Sequence, residues 1–170
     1  MGSRNRSPRK AILCVSGEGG HMTELKALMN ILGEDLSDYR LVLITDTKKY
    51  ASGVFDRVYV CGALRDKDSY LKTCIRAPVT IMRSIIAILE VNFRFRPFIM
   101  LSTGPGVAVL PTLVMRTLGV PTIHFECSAR FYSISPSGRI IAALADKFYV
   151  QNEGLTTLNR KASYCGLLIT

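Results

Sequence analysis

The chain has 170 residues, 48% of them apolar and 21% charged, with a net charge of +9. That length suits one domain with a sizeable core and is short for two, and the apolar share excludes a disordered polymer. The charge points to anionic partners (nucleic acid, acidic lipid headgroups or a phosphorylated substrate), beside the plain reading of a basic surface that serves solubility.

Residues 1–10 are basic and polar, with no apolar run ahead of the first strand, so no signal peptide is read. They are expected to form a disordered arm, with the globular domain over 11–170. Ile12–Val15 predicts a short buried strand, Gly17-Glu18-Gly19-Gly20 a turn, and Met22, Leu25, Leu28, Met29 and Leu32 recur at helical spacing. Strand, glycine turn and helix open a doubly wound α/β domain, with the turn at the carboxyl edge where such sheets bind ligands. Glycines let a ligand approach the backbone, and the N–H groups and dipole of the helix favour an anion. A dinucleotide fingerprint needs a third glycine near position 22, where this chain has Met22. A P-loop needs Gly-Lys-Ser/Thr, where it has Gly20-His21-Met22. What remains is a Gly-x-Gly-Gly-His turn with an imidazole at the helix N-terminus, or a turn that the glycines merely shape.

Leu41–Thr45 predicts a second strand ending at Asp46, read as a loop cap in preference to a ribose ligand. Phe55–Val60 predicts a short strand at the sheet edge, and Gly62–Tyr70 a charged loop. A long helix is expected over Leu71–Asn92, with Ile75, Val79, Met82, Ile86 and Leu89 on one stripe, Ile81, Ile85 and Ile88 beside it, and Arg76 and Arg83 interrupting the run. It is too charged for a bilayer span, which takes roughly 20 predominantly apolar residues. It reads as a wide helix between the sheet and a partner, or as an interfacial helix on an anionic membrane.

Phe98–Ser102 predicts a strand running into a second glycine turn, Thr103-Gly104-Pro105-Gly106, and then a helix over Val107–Leu118. Val120–Phe125 predicts a strand that delivers Glu126, Cys127, Ser128, Ala129 and Arg130 to the same edge. A short helix over Pro136–Ala143 follows, capped by Ser133 or Ser135. A strand over Asp146–Val150, a short helix over Glu153–Asn159 and a strand over Tyr164–Ile169 complete the order. Alternating strands and helices imply parallel strands with right-handed crossovers. Three polar loops therefore converge on one edge, which marks a site better than any single motif.

The five cysteines, 14, 61, 74, 127 and 165, have no CxxC spacing and read as reduced thiols. With two histidines and neither at ligand spacing to a cysteine, no metal site is expected.

Gly17-x-Gly-Gly-His21-x-Thr-Glu-Leu25, Ser102-Thr-Gly-Pro-Gly106, His124-Phe-Glu-Cys-Ser-Ala-Arg130, Ser135-x-Ser-Gly138, Ala145-Asp-Lys-Phe-Tyr-Val-Gln151 and Tyr164-x-Gly166 occur in that order. This set resembles the acceptor-side subunit of the two-chain UDP-N-acetylglucosamine transferase of the dolichol pathway. It is equally similar to the PssD-type prokaryotic relatives of exopolysaccharide synthesis. The resemblance runs from about Ala11 to the C-terminus. It implies a Rossmann-like sheet, the N-terminal half of a GT-B glycosyltransferase, which MurG carries in one chain with its donor domain. It further implies a membrane-associated subunit that presents a lipid-pyrophosphate-linked sugar and takes N-acetylglucosamine from UDP-N-acetylglucosamine bound by a separate catalytic chain. The cytoplasmic face of the endoplasmic reticulum, or of the plasma membrane in a prokaryote, is the implied location. The family's transmembrane N-terminal helix is not seen in this sequence: either that segment lies outside it, or membrane contact falls to the basic arm and the helix near Ile75–Leu89. Alone, the domain is expected to be inactive.

Carried onto this chain, Gly17, Gly19, Gly20, Gly104 and Gly106 would line the acceptor pyrophosphate, with Thr23, Pro105 and Ser128 beside them. Arg130 would clamp a phosphate, or else be a surface arginine pairing Glu126. His21 is the first candidate for general base on the acceptor hydroxyl, since an imidazole titrates near neutrality. Glu126 is the second candidate, or a residue that holds His21 or binds sugar hydroxyls. His124, inside a strand, reads as structural. No cofactor and no metal are implied. The alternatives are an exopolysaccharide transferase subunit using another hexose and, more remotely, a dinucleotide-binding oxidoreductase or a basic nucleic-acid module. Met22 counts against the oxidoreductase, and aromatics confined to strand patterns count against nucleic acid.

Overall fold

The computed structural model describes residues 10–47, 49, 54–61, 70–104 and 106–169, without the side chains of 70–77. The expected basic arm over 1–9, the charged loop over 62–69 and Pro105 lie outside these residues. Strands β1 (Ala11–Ser16), β2 (Arg40–Thr45), β3 (Arg57–Val60), β4 (Pro97–Ser102), β5 (Thr122–Phe125), β6 (Lys147–Val150) and β7 (Ala162–Tyr164) alternate with helices. The α-helices are α1 (Gly20–Leu32), α2 (Tyr70–Phe95), α3 (Val109–Thr117) and α4 (Pro136–Leu144). The strands pair in parallel in the order β3-β2-β1-β4-β5-β6-β7. The order reverses between β1 and β4, so the crevice beyond their carboxyl ends is the switch point of a Rossmann-like sheet. The Gly17–His21 turn follows β1 and the Thr103–Gly106 turn follows β4.

Side-chain alternation along β1 and β2 divides the core into two layers. Ile12, Cys14, Leu41 and Leu43 pack on Met22, Leu25 and Leu28 of α1. Leu13, Val15, Val42 and Ile44 face the other way, with Ile88 and Val91 of α2, Met115 of α3 and Ile141 of α4. A sheet covered on both faces needs near-continuous apolar strands, which is why these runs are almost unbroken. Burial pushes the Cys14 thiol up to about 12, so it serves the core as a small apolar group.

Three expectations are corrected in detail. The helix after the second glycine turn begins as a 3-10 turn over Gly106–Ala108 and becomes α-helical at Val109. The expected helix over Glu153–Asn159 is a 3-10 helix over Glu153–Leu158. The last strand is confined to Ala162–Tyr164, because Gly166 adopts φ 80 and turns the chain out of extended geometry. Along α2, Val79, Met82 and Ile86 of the expected stripe face outward, the direction that contact with a partner or a membrane surface takes. Ser84, Ile88 and Val91 are buried, whereas Val79, Met82, Ile86 and Phe93 are 55%, 58%, 58% and 77% exposed. No helix among the described residues is long and apolar enough to cross a membrane.

Two loop readings find their atoms. Asp46 Oδ1 accepts the Glu18 N–H at 3.0 Å, a cap on the first glycine turn. Ser135 is the N-cap of α4, its hydroxyl accepting the Gly138 N–H at 2.9 Å.

Candidate functional site

The two glycine turns close on each other at the switch point. A Cβ on Gly104 would lie 3.2 Å from Ser16 Cα and 3.3 Å from Gly17 N, so a glycine is needed where the second turn passes the first. Gly19, at φ 79, leads into α1 and offers no side-chain oxygen to the first-turn N–H groups. Beside these turns opens a cavity of about 590 Å³. His21, Thr103, Gly104 and Gly106 line it from α1 and the second turn. His124, Glu126, Cys127, Ala129 and Arg130 line it from β5 and the loop beyond, and Ser135–Ser137 from the start of α4.

Thr103 fixes His21 at both ends. Its hydroxyl donates to the His21 carbonyl at 2.8 Å, and its carbonyl lies 2.9 Å from Nδ1. A carbonyl can only accept, so Nδ1 carries a proton, and in the neutral form of the ring the lone pair is on Nε2; the ring lines the cavity. This is the tautomer that a proton acceptor at Nε2 requires.

Glu126 is held differently. It is 3% exposed, and the Ser135 hydroxyl lies 3.0 and 3.1 Å from its two oxygens. A Cβ on Gly138 would fall 1.8 Å from its Oε2, so the carboxylate is seated against the first turn of α4. His124 is buried, stacked on Phe148 at 5.5 Å, and its Nδ1 has no hydrogen-bond partner among the described residues. Desolvation, with repulsion from His21 second, lowers its pKa to about 3. It is buried, as its strand position suggested, and it also lines the cavity.

The residue that sequence reasoning missed is Glu24. It is 2% exposed, and its Oε1 accepts from Ser128 N at 2.8 Å, Ser128 Oγ at 2.7 Å and Gln151 Nε2 at 3.3 Å. The signal was present: Glu24 lies four residues before Leu28, on the apolar side of α1 with Leu25 and Leu28. A charge on an apolar face is rarely accidental.

The donor atoms of His21, Glu24 and Cys127 lie within 4.8 Å of one another. Metal ligation takes an imidazole lone pair and a thiolate. Here the Nδ1 that faces Glu24 is held against the Thr103 carbonyl and burial raises the Cys127 thiol, both of which disfavour metal ligation by the trio.

Of the other expected residues, Gly17 is buried beneath the turn, and Gly19, Gly20 and Thr23 are exposed at the start of α1, outside the cavity lining. Ser128 commits its amide and hydroxyl to Glu24. Arg130 is exposed on the cavity wall and pairs with no carboxylate among the described residues.

Residues 12–168 match the family described as "Oligosaccharide biosynthesis protein Alg14 like". The UDP-N-acetylglucosamine transferase subunit alg14 of Schizosaccharomyces pombe is 28% identical over 191 residues, covering 98% of this chain and 87% of that protein. The ALG14 subunit of Homo sapiens is also 28% identical, over 98% of this chain and 88% of its own length. The Cryptococcus neoformans subunit is 31% identical over 79% of this chain and 70% of its own. Among solved structures, Acinetobacter baumannii MurG superposes with a TM-score of 0.61 at 16% identity, over 84% of this chain and 41% of MurG. The UDP-N-acetylglucosamine 2-epimerase of Rickettsia bellii gives 0.64 at 13% identity, over 95% of this chain and 46% of its own. At these identities the structural likeness speaks for the fold alone: this chain spans less than half of each, one sheet of a GT-B-type architecture.

Two outcomes follow from the packing. Gly138→Ala is expected to destabilise the fold by about 1–3 kcal/mol, read from a denaturant midpoint. Unchanged stability would mean that Glu126 can leave its seat freely. His124 is neutral in the fold down to about pH 3, whereas an unfolded histidine protonates near 6.5. The unfolded state therefore binds the extra proton between those values, and stability present above pH 6.5 is lost as the pH falls. The loss approaches about 1.4 kcal/mol per pH unit. His124→Phe, which retains a ring against Phe148, should flatten this part of the stability curve, and a slope identical to the native one would remove His124 as its source.

Proposed function

Because the chain belongs to the Alg14-like family of oligosaccharide biosynthesis proteins, we propose that it is the acceptor-side subunit of a UDP-N-acetylglucosamine transferase. A second polypeptide supplies the UDP-sugar site. The relatives' name of transferase subunit supports the division of labour. The observation that carries the chemical reading is His21: its Nδ1 is tied to the Thr103 carbonyl and its ring lines an open cavity at the carboxyl edge.

In this reading the acceptor is a sugar on a lipid pyrophosphate. Its diphosphate lies along the two glycine turns, where the N–H groups of the α1 N-terminus and the exposed Arg130 favour an anion. Nε2 of His21 takes the proton of the acceptor hydroxyl as that oxygen forms its bond to the anomeric carbon of N-acetylglucosamine. The bond from that carbon to UDP breaks on the opposite face, UDP leaves with the electron pair, and the configuration inverts. In this reading Glu126, engaged by Ser135, shapes the cavity wall and the proton goes to His21.

The outer face of α2 supports a membrane-surface location. Val79, Met82, Ile86 and Phe93 are exposed on the same side as Arg83 and Arg94, an apolar stripe with basic residues beside it. Binding to vesicles containing phosphatidylserine is expected, weakening as salt rises. Arg83→Gln with Arg94→Gln should weaken it by about thirtyfold, at about 1 kcal/mol per basic residue near the surface. Undiminished binding by the pair would take α2 out of the contact.

Transfer of radiolabelled N-acetylglucosamine from UDP-N-acetylglucosamine to a short polyprenyl-pyrophosphate-N-acetylglucosamine tests the whole reading. Product is expected only when this chain and the donor-site subunit are combined; robust transfer by this chain alone overturns the division. In the complex, His21→Ala should lower kcat on the order of 10²–10⁴-fold, and an unchanged kcat moves the base elsewhere.

A further inference from the structure

Resting on His21 as the base, we propose that Glu24 is its positioning residue and counter-charge, acting through the carboxylate oxygen Oε2, 3.9 Å from His21 Nδ1. Glu24 is an unusual carboxylate in its asymmetry. The donors of Ser128 and Gln151 all gather on Oε1, while Oε2, itself buried, has no hydrogen-bond partner among the described residues, and the His21 ring and the Cys127 thiol lie beside the carboxylate. Leaving a buried carboxylate oxygen without a donor is costly, and such exceptions in a native fold call for an explanation.

The proton path supplies one. Before the proton transfer Nδ1–H donates to the Thr103 carbonyl. Once Nε2 has taken the acceptor's proton, the ring is a cation in a half-buried site. Nδ1–H then faces two acceptors, the Thr103 carbonyl and Glu24 Oε2. The attraction across this short distance is little screened, because Glu24 is 2% exposed. Glu24 keeps its own charge throughout: the proton moves from the acceptor hydroxyl to Nε2, and nothing is transferred to the carboxylate. Glu126, the other buried acid beside the cavity, is not equivalent, since Ser135 engages both of its oxygens. His124 is neutral and supplies no counter-charge. Spacing adds to the argument: residues three apart on a helix are neighbours, so α1 holds the acid beside the ring as a fixed pair.

The assembled two-subunit complex tests this. Glu24→Gln keeps an oxygen for Ser128 and Gln151 while removing the charge. It should lower kcat on the order of 10- to 100-fold with the KM for the lipid-linked acceptor unchanged. Glu24→Asp, which keeps the charge but withdraws it from the ring, should recover part of the loss. In a His21→Ala background, Glu24→Gln should cost nothing further, because the two act as one unit. Native kcat in Glu24→Gln, or the same fractional loss with and without His21, overturns the proposal while leaving His21 as the base. Native kcat in His21→Ala overturns the base assignment itself. If Glu24→Gln fails to fold, as seen by its thermal melt, Glu24→Asp carries the test. A Glu24→Asp complex with native kcat, or one equally slowed in both backgrounds, counts against the proposal in the same way.

Discussion

A single buried carboxylate ties the working edge of this protein together. Glu24 leaves α1 and reaches the loop after β5 through Ser128 and the end of β6 through Gln151. Gln151 in turn donates to the Glu126 carbonyl at 3.0 Å and accepts from Leu168 N at 2.8 Å. Segments as distant in sequence as α1 and the C-terminal turn are thus joined through one charged group. A charge with little access to water must be met by hydrogen bonds, so it enforces its neighbours' positions more strictly than apolar packing does. That strictness is what places His21, the loop of Glu126–Arg130 and the start of α4 around one cavity.

Thr103 is the second constraint, and it comes from the opposite side of the switch point. By donating to the His21 backbone and accepting from its ring, it couples the turn after β4 to the first turn of α1. The close passage of Gly104 over Ser16 and Gly17 makes this contact geometrically possible. Glycines and imidazole therefore belong to one device: the glycines bring two turns together, and the Thr103 carbonyl that arrives with them selects the tautomer.

Much of this was legible in the sequence because the fold is dictated by local signals. Strand runs such as Leu41–Thr45 must be apolar on both faces in a parallel sheet, and α1 carries its stripe at helical spacing. The convergence of the Gly17, Thr103 and Glu126 loops follows from alternating order alone. What local patterns could not settle was direction. Along α2, apolar residues lie on more than one side, so periodicity gave a stripe without saying which way it faced; only the packing of Ile88 and Val91 against the sheet decides. Nor could spacing show that Ser128 and Glu24 meet across 104 positions, or that Glu126 turns toward Ser135 rather than His21. Tertiary hydrogen bonds between loops leave no periodic trace.

The distribution of satisfied and unsatisfied groups also bears on why such a site would need a partner. Around the cavity, Ser128, Ser135 and Glu126 are engaged within the chain. The His21 ring and the Arg130 side chain on the cavity wall are not closed off in this way, the first through Nε2 and the second through its exposed guanidinium. In the proposed transferase these are the groups that meet the acceptor, a proton acceptor and a cation. Neither contacts a departing nucleotide in that scheme. Activation of the nucleophile and stabilisation of the leaving group would then fall on different polypeptides. Since effective catalysis depends on holding reacting groups in a near-attack geometry, the docking of the two chains becomes part of the catalytic apparatus. A small misplacement at their junction would be felt in kcat even with every residue around His21 undisturbed.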